Sequence, residues 1–542
     1  MTWIHPLSAE VDEPAEVLGG KAHGLVVLRR LRLPVPPGFV ITTRACRAFL
    51  RDGRPPRGLD DELAAATAAL EATTHRNLGG AHRPLAVSVR SGGAVSMPGM
   101  MSTVLNLGLT AEATSGLAAE TGDLRFALDS RLRFLISFAT EVFGVDRDGL
   151  EDIRRELTGQ DRGGEARFTE GLRAVEALIT RRVGESVPRS APRQLERAVA
   201  AVFSSWDTPR AKTYRELHGI PGDRGTAVTV QTMVFGNRDD RSGTGVAFSR
   251  SPNTGEPVPY GEVLFGSQGD EVVSGRSLTR PLHDLADREP TVWAALLDAL
   301  HRIEAHYRDA CYVEFTFEAG ELWILQGRTG RLVGRAAVRV AVDLADEGVI
   351  HRPEALLRVS PYQLAHVRTP RIAVSEPVDL LTRGQGASPG VAVGRVATTA
   401  DRAVRMAAEG PVVLLRPETS PLDMHGLAAA TGVVTTRGGP TSHAAVVARA
   451  LGKPAVVGAV ELSVDAAAGC VRAGERVLPE GTLIAVDGTG GEVVVGAPRL
   501  VSAAADPHLR RLLRWADEVA GDSTDRRETA RLAAAHRALA PR

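Results

Sequence analysis

Apolar and polar positions along the chain switch between two periods, and the switches mark out its elements. In VPPGFVITT (residues 35–43) a proline turn leads into an apolar run, which predicts a short strand. DDELAAATAALEATTH (60–75) sets three acidic residues ahead of an alanine-rich repeat, which predicts a helix with its first-turn charge preference met. LAVSVRS (85–91) reads as a second strand, followed by a loop rich in glycine and methionine. From about 111 to 217 the pattern is mainly helical, broken by the Gly/Arg-rich stretch TGQDRGGEAR (158–167), an exposed loop. The β-rich runs AVTVQTMVFG (227–236) and TGVAFSR (244–250) are separated by NRDDRSG, which predicts a hairpin. ACYVEFTFEAGELWILQGR (310–328) predicts another, with its turn at EAGE. A helical pattern over 330–375 ends in a proline-bearing connector. Val-rich strands and glycine turns then run from near Gly386 to about residue 500, before a charged helical tail.

Composition narrows the function. The 542 residues suffice for about three domains, each with its own core. With 65 basic and 65 acidic side chains the formal net charge is zero, so no general nucleic-acid partner is expected. No apolar run reaches the roughly 18 residues a membrane helix needs, and MTWIHPLSAE lacks a signal pattern. Cys46, Cys311 and Cys470 are scattered and form no CxxC, which argues against a disulfide framework or a thiolate zinc site. A cytoplasmic protein with no membrane partner is the expectation. Only three basic residues are lysines, Lys21, Lys212 and Lys453, and two of them follow glycines, in GGK21 and LGK453. Arginine replaces lysine at little cost on a surface, but not where a compact ammonium must reach a phosphate.

Several segments carry candidate chemistry. VSVRSGGAVSMPGMMSTVLNLG (87–108) puts Arg90 on a strand beside Gly92, Gly93 and Gly99, where bare backbone amides and a guanidinium fork suit an anion. LGGKAHGL (18–25) reads as a Gly19-Gly20 turn before a lysine and a helix start. In YVEFTF, strand alternation puts Tyr312, Glu314 and Thr316 on one face, and Gln326 and Arg328 share a face of the return strand. A carboxylate, an amide and an arginine across one ribbon can hold a metal and a nucleotide phosphate, although a solvated hairpin has the same pattern. In TTRGGPTSHAAVVARALGKPAVVG (435–458), a β run leads through RGGPTSH into a helix, so His443 falls at a helix N-terminus with Thr441 and Ser442 as caps. A phosphate on that imidazole would meet free amides and the positive end of the helix dipole, and histidine is a competent nucleophile at neutral pH.

Taken together these segments resemble the pyruvate phosphate dikinase family along most of the chain. RGGPTSHAAVVARALGKPAVVG is similar to that family's phosphohistidine signature, and VSVRSGGAVSMPGMMSTVLNLG to its nucleotide loop. Residues 230–256, YGEVLFGSQGDEVVSG (260–275), GASPGVAVGRV (386–396) and RPETSPLDMHG (416–426) are also similar to family segments. The resemblance implies a mixed α+β and α/β multidomain chain. Its parts would be an ATP-grasp domain over 1–335 with a helical subdomain at about 111–217, a helical linker over 336–380, a swivelling phosphohistidine domain over 381–500, and a helical connector over 501–542. Carried across by motif, Lys21, Arg90, Gly99, Glu314, Gln326 and Arg328 would bind ATP, with Glu314 on Mg²⁺. His443 would carry the phosphoryl group, and Thr441 matches a threonine that regulatory proteins phosphorylate in some members. ATP and inorganic phosphate would be the substrates, giving AMP and pyrophosphate.

Two departures shape the expectation. The tail is similar to the connector that leads into the family's C-terminal barrel, where pyruvate and phosphoenolpyruvate bind, and the sequence stops there. The expected activity is therefore the nucleotide half-reaction, with a separate barrel protein as partner. The family's metal-binding aspartate is matched here by Tyr312, a poor Mg²⁺ ligand at neutral pH, with Asp270 and Glu271 as the carboxylates left to compensate. The alternative is a non-catalytic ATP-binding regulator of a dikinase-like partner.

Overall fold

The computed structural model describes residues 2–540 apart from 96, 98–100, 159–164, 218, 275–278, 331, 333, 366, 369, 373–377, 441, 503–505 and 523–525. By its packing the chain divides into two units, Met1–Arg238 with Trp323–Gln326, and Asp239–Leu322 with Gly327–Arg542.

In the first unit five strands pair antiparallel in the order Ile4–Pro6, Gly38–Ile41, Ala227–Thr232, Val87–Gly92, Thr103–Leu107. The alanine-rich repeat forms the helix Leu59–Thr74, and the helical region begins with Ala111–Thr121 and Leu124–Phe143. Both of these start on side-chain caps: Thr110 Oγ1 accepts from Ala113 N at 3.1 Å, and Asp123 Oδ1 from Phe126 N at 2.9 Å. Both end on left-handed glycines, Gly122 and Gly144. Phe134, Phe138, Phe168 and Phe203 from these and later helices fill one core with the sheet residues Val87, Val89 and Val228.

The hairpin expected over 227–250 does not form. Ala227–Thr232 and Gly243–Phe248 belong to different sheets, the first pairing with Gly38–Ile41 and Val87–Gly92, the second with Tyr260–Phe265 and Cys311–Glu318. Each strand is buried along nearly its whole length and has partners on both sides. Long-range pairing therefore overrides the local turn chemistry of NRDDRSG.

A second five-stranded sheet has the order Arg280–Pro281, Tyr260–Phe265, Gly243–Phe248, Cys311–Glu318, Glu321–Thr329, all of it in the second unit except Trp323–Gln326. Here the hairpin forms as expected, with Ala319 and Gly320 both at positive φ (50° and 81°), the geometry of a two-residue turn between twisted strands. The helices Gly334–Asp346, Arg352–Arg358 and Pro361–Ala365 share one core with Pro507–Ala520 and Glu528–Leu539, centred on Trp515, Leu512 and Leu532. The linker and the tail, separate in sequence, are thus one helical body.

Residues 380–495 build an eight-stranded mixed sheet. Its middle strands, Val391–Ala397, Val412–Arg416, Gly432–Thr435 and Ala455–Val457, run parallel. The helices Ala400–Ala407, Met424–Ala429 and His443–Ala450 connect them, and all pack on one face through Ala403, Leu427, Ala444 and Ala448. The small sheet carrying Leu462, Val471 and Leu478 joins the core of the other face. A parallel βαβ sheet presents its ligand-binding loops at the carboxyl ends of its strands. The mixed α/β, multidomain class is as expected from the sequence.

Candidate active site

Two glycine motifs meet in the first unit. GGK21 is not a turn before a helix, as its pattern predicts. It lies inside the helix Ala15–Arg30, which kinks at Gly19 (φ 75°, ψ 152°). A β-carbon at Gly19 would stand 1.8 Å from Gly92 O, so the kink seats directly on the loop after Arg90. Gly20 N donates to Gly93 O at 3.0 Å. Lys21 follows immediately, its β-carbon 3.6 Å from where one on Gly92 would lie. Arg90 sits in the strand Val87–Gly92, opposite Thr229 and Thr103. The structure thus brings the lysine motif to the arginine loop, which is what an anion site requires. Gly99 lies outside the described residues. Gln326 is half-buried and also falls in this unit, whereas Glu314 and Arg328 belong to the second.

Register fixes what the second sheet presents. Tyr312 lies opposite Phe248, which lies opposite Tyr260, while Glu314, Val246 and Glu262 form the next row. Directly opposed residues share a face, so two carboxylates and two phenols stand on one surface. The Tyr312 hydroxyl donates to Glu314 Oε1 at 3.3 Å, and the Arg328 guanidinium lies 4.3 Å from the Tyr312 ring centre. The Tyr312 ring meets Phe248 edge-on at 5.1 Å. Burial pushes the Tyr312 phenol well above its ordinary range, aided by the Glu314 charge, so it stays a neutral donor.

The loop that leads to His443 packs on this surface. A β-carbon at Gly439 would stand 1.2 Å from Glu262 Oε1, so the buried Glu262 carboxylate would have to shift to admit one. Asn253 Nδ2 donates to Gly386 O at 2.8 Å. Arg449, six residues after His443, is 6% exposed, and its side chain runs back toward the helix start. There it donates to Pro440 O at 2.6 Å and Ala387 O at 2.7 Å. Burial lowers its guanidinium to about 10, against the opposing pull of Tyr260, Glu262 and Tyr312.

His443 begins the helix His443–Ala450 at the carboxyl end of the strand Gly432–Thr435. Thr419 follows the neighbouring parallel strand Val412–Arg416, and its Oγ1 lies 3.2 Å from His443 Nδ1. Asp423 holds that loop, accepting from Ser420 N at 2.8 Å and pairing with Arg416 at 3.4 Å. Burial lowers the imidazole pKa, opposed by Asp423, so the neutral ring is favoured. In the tautomer whose Nδ1–H donates to Thr419 Oγ1, Nε2 carries the ring's lone pair. Ser442 occupies the cap position but makes no cap bond, a correction to the sequence reading, and among the described residues its buried Oγ has no partner. The first-turn amides, which lack intrahelical partners, are left for an anion. Thr441 lies outside the described residues. Thr419 and Arg449 were missed in sequence, although both sit within segments singled out there.

The fit of Mg²⁺ can be tested on these residues. Among the described residues no group of three or more His, Cys, Asp or Glu side chains is placed to hold a metal ion. Asp309 is turned toward Arg358, 3.6 Å away, and the side chain of Asp270 lies outside the described ones. Glu314 offers one carboxylate. That set suits an Mg²⁺ held mainly by nucleotide phosphates and water, and not one caged by protein.

Residues 52–282 match the family model described as pyruvate phosphate dikinase, AMP/ATP-binding domain, and residues 408–491 match PEP-utilising enzyme, mobile domain. The chain is 41% identical over 539 residues to pyruvate, phosphate dikinase of Rhizobium meliloti (strain 1021), covering 95% of this chain and 60% of that protein. It is 42% identical over 520 residues to pyruvate, phosphate dikinase 2 of Zea mays (93% and 58%), and 39% over 534 residues to pyruvate, phosphate dikinase of Clostridium symbiosum (95% and 60%). The chain spans about 60% of the length of these curated relatives. No helix among its described residues is long and apolar enough to cross a membrane.

Proposed function

The chain belongs to the pyruvate phosphate dikinase family, and from that premise we propose that its residues catalyse phosphorylation of His443 by ATP. In this reading His443 Nε2 attacks the β-phosphorus and the bond to the α–β bridging oxygen breaks, releasing AMP. Inorganic phosphate then takes the γ-phosphoryl as pyrophosphate and leaves the β-phosphoryl on the ring. Lys21, Arg90, Gln326, Glu314 and Arg328 bind the nucleotide, and catalysis is mainly positioning and charge neutralisation. Glu314 would hold Mg²⁺ together with the nucleotide's phosphate oxygens, and the cation would supply charge neutralisation at the phosphates that the imidazole approaches. The observation that carries the reading is the place of His443 at an uncapped helix start, with its Nδ1 3.2 Å from Thr419 Oγ1.

The finer steps are part of the same proposal. Phosphohistidine passes its group to pyruvate or another acceptor, and Thr441 is the residue through which a regulator would act. Incubation with Mg²⁺ and ATP labelled at β or γ, with and without phosphate, tests the reading against His443→Ala. Label from β alone, retained on wild type only, is the expected result. Tyr312 in the nucleotide face favours a second reading, an ATP-binding regulator, which would bind ATP and retain no label.

A further inference from the structure

We propose that Tyr312 closes the carboxylate end of the nucleotide face, tying Glu314 and Arg328 together so that the site takes a divalent cation only as the nucleotide brings it. This rests on the ATP-binding reading above and adds what the site does with metal. The ring cannot turn aside: it is 6% exposed, packed with Phe248, Leu264 and Val272, and faced edge-on by Phe248. Its hydroxyl is thereby aimed at Glu314 Oε1 at 3.3 Å, a long bond that takes up one of that carboxylate's acceptor sites. The Arg328 guanidinium, 4.3 Å from the centre of the same ring, adds a positive charge to this face, where a dication bound to protein alone would be repelled.

The neighbouring carboxylate does not complete a cage. Glu262, in the same row, accepts from Thr279 Oγ1 at 2.8 Å and compensates buried Arg449. One shared carboxylate is too little for a cation that demands six oxygens, but it is enough once phosphate oxygens supply the rest. The same clamp keeps Arg328 over the ring before nucleotide arrives, so the phosphate-binding fork is already ordered.

Mn²⁺ binding to the full chain tests this, counted by electron paramagnetic resonance with and without α,β-methylene-ATP, in which the reacting bond cannot break. Wild type is expected to bind no Mn²⁺ above background alone, and one per chain with the analogue. Tyr312→Asp, which adds a carboxylate between two arginines, is expected to take a second Mn²⁺ in the ternary complex. Tyr312→Phe removes only the hydroxyl and keeps the packed ring. It should retain one Mn²⁺ but bind it about fivefold more tightly, because Glu314 is released from one hydrogen bond. Two Mn²⁺ in wild type, or Tyr312→Phe and Tyr312→Asp both indistinguishable from it, would overturn the inference while leaving nucleotide binding intact. Failure of the analogue to bind wild type, read by calorimetry in the same samples, would overturn the ATP reading and this inference with it.

Discussion

Thr419→Val isolates what holds His443, the proposed nucleophile. Thr419 is 5% exposed, and valine has its shape, so the substitution removes one hydroxyl from a packed position. What is lost is the 3.2 Å contact with His443 Nδ1. A net hydrogen bond of this kind contributes about 0.5–1.5 kcal/mol, which converts to about 2- to 13-fold in rate. Because His443 is only half-buried, water can partly replace the lost partner, which keeps the effect within that range. Loss of the acceptor also frees the ring to carry its proton on Nε2, the wrong tautomer for attack. Single-turnover formation of phosphohistidine under rapid quench should therefore slow by about tenfold, with affinity for ATP unchanged. The pH profile gives a second readout. A histidine whose pKa is depressed in the folded protein is neutral above that pKa and loses nucleophilicity as pH falls through it. Burial keeps it below the ordinary 6.5, so the acid limb should lie below 6.5 in wild type and variant alike. An unchanged rate in Thr419→Val, or an acid limb at or above 6.5, would refute the reasoning.

Other predictions follow from single contacts. Gly439→Ala leaves no room for the Glu262 carboxylate where it stands, so the loop or that side chain must shift, and phosphohistidine formation should fall about tenfold, with far-UV circular dichroism unchanged. Gly19→Ala puts a side chain at φ 75° against Gly92 O, and should cost about 2 kcal/mol or more, read as a lower melting temperature and lost ATP binding. Burial pushes the Cys46 and Cys311 thiols up to about 12, and Cys470 is also buried. All three should resist a thiol reagent at pH 8 in the native protein and react only after denaturation, as counted by absorbance.

Much of this site was legible because its chemistry is local. The hairpin around Ala319-Gly320 and the helix start at His443 follow from turn residues and from a change of period over a few positions. The helical stretch read over about 111–217 likewise follows from local period, and it includes the helices Ala111–Thr121 and Leu124–Phe143. What escaped was set by distant packing. Gly19 reads as a turn because glycine pairs usually are turns, whereas here the kink exists to admit Gly92 O. NRDDRSG has hairpin chemistry but links strands that each find partners elsewhere. Thr419 meets His443 only because two parallel strands lie side by side, and Arg449 reaches Pro440 only because its helix folds back on its own loop. The common core of the linker and tail helices likewise joins residues about 170 apart, beyond the reach of any local pattern.

The central claim is that ATP charges His443 through Nε2, and mapping the phosphoryl group tests it most directly. The protein would be treated with ATP, Mg²⁺ and phosphate, digested at alkaline pH and mapped by mass spectrometry, with ³¹P–¹⁵N correlation on ring-labelled protein to identify the bonded nitrogen. The account predicts one acid-labile phosphate, on His443, coupled to Nε2 and absent from His443→Ala. A phosphate on Nδ1, on another residue, or on none while ATP is bound would contradict it.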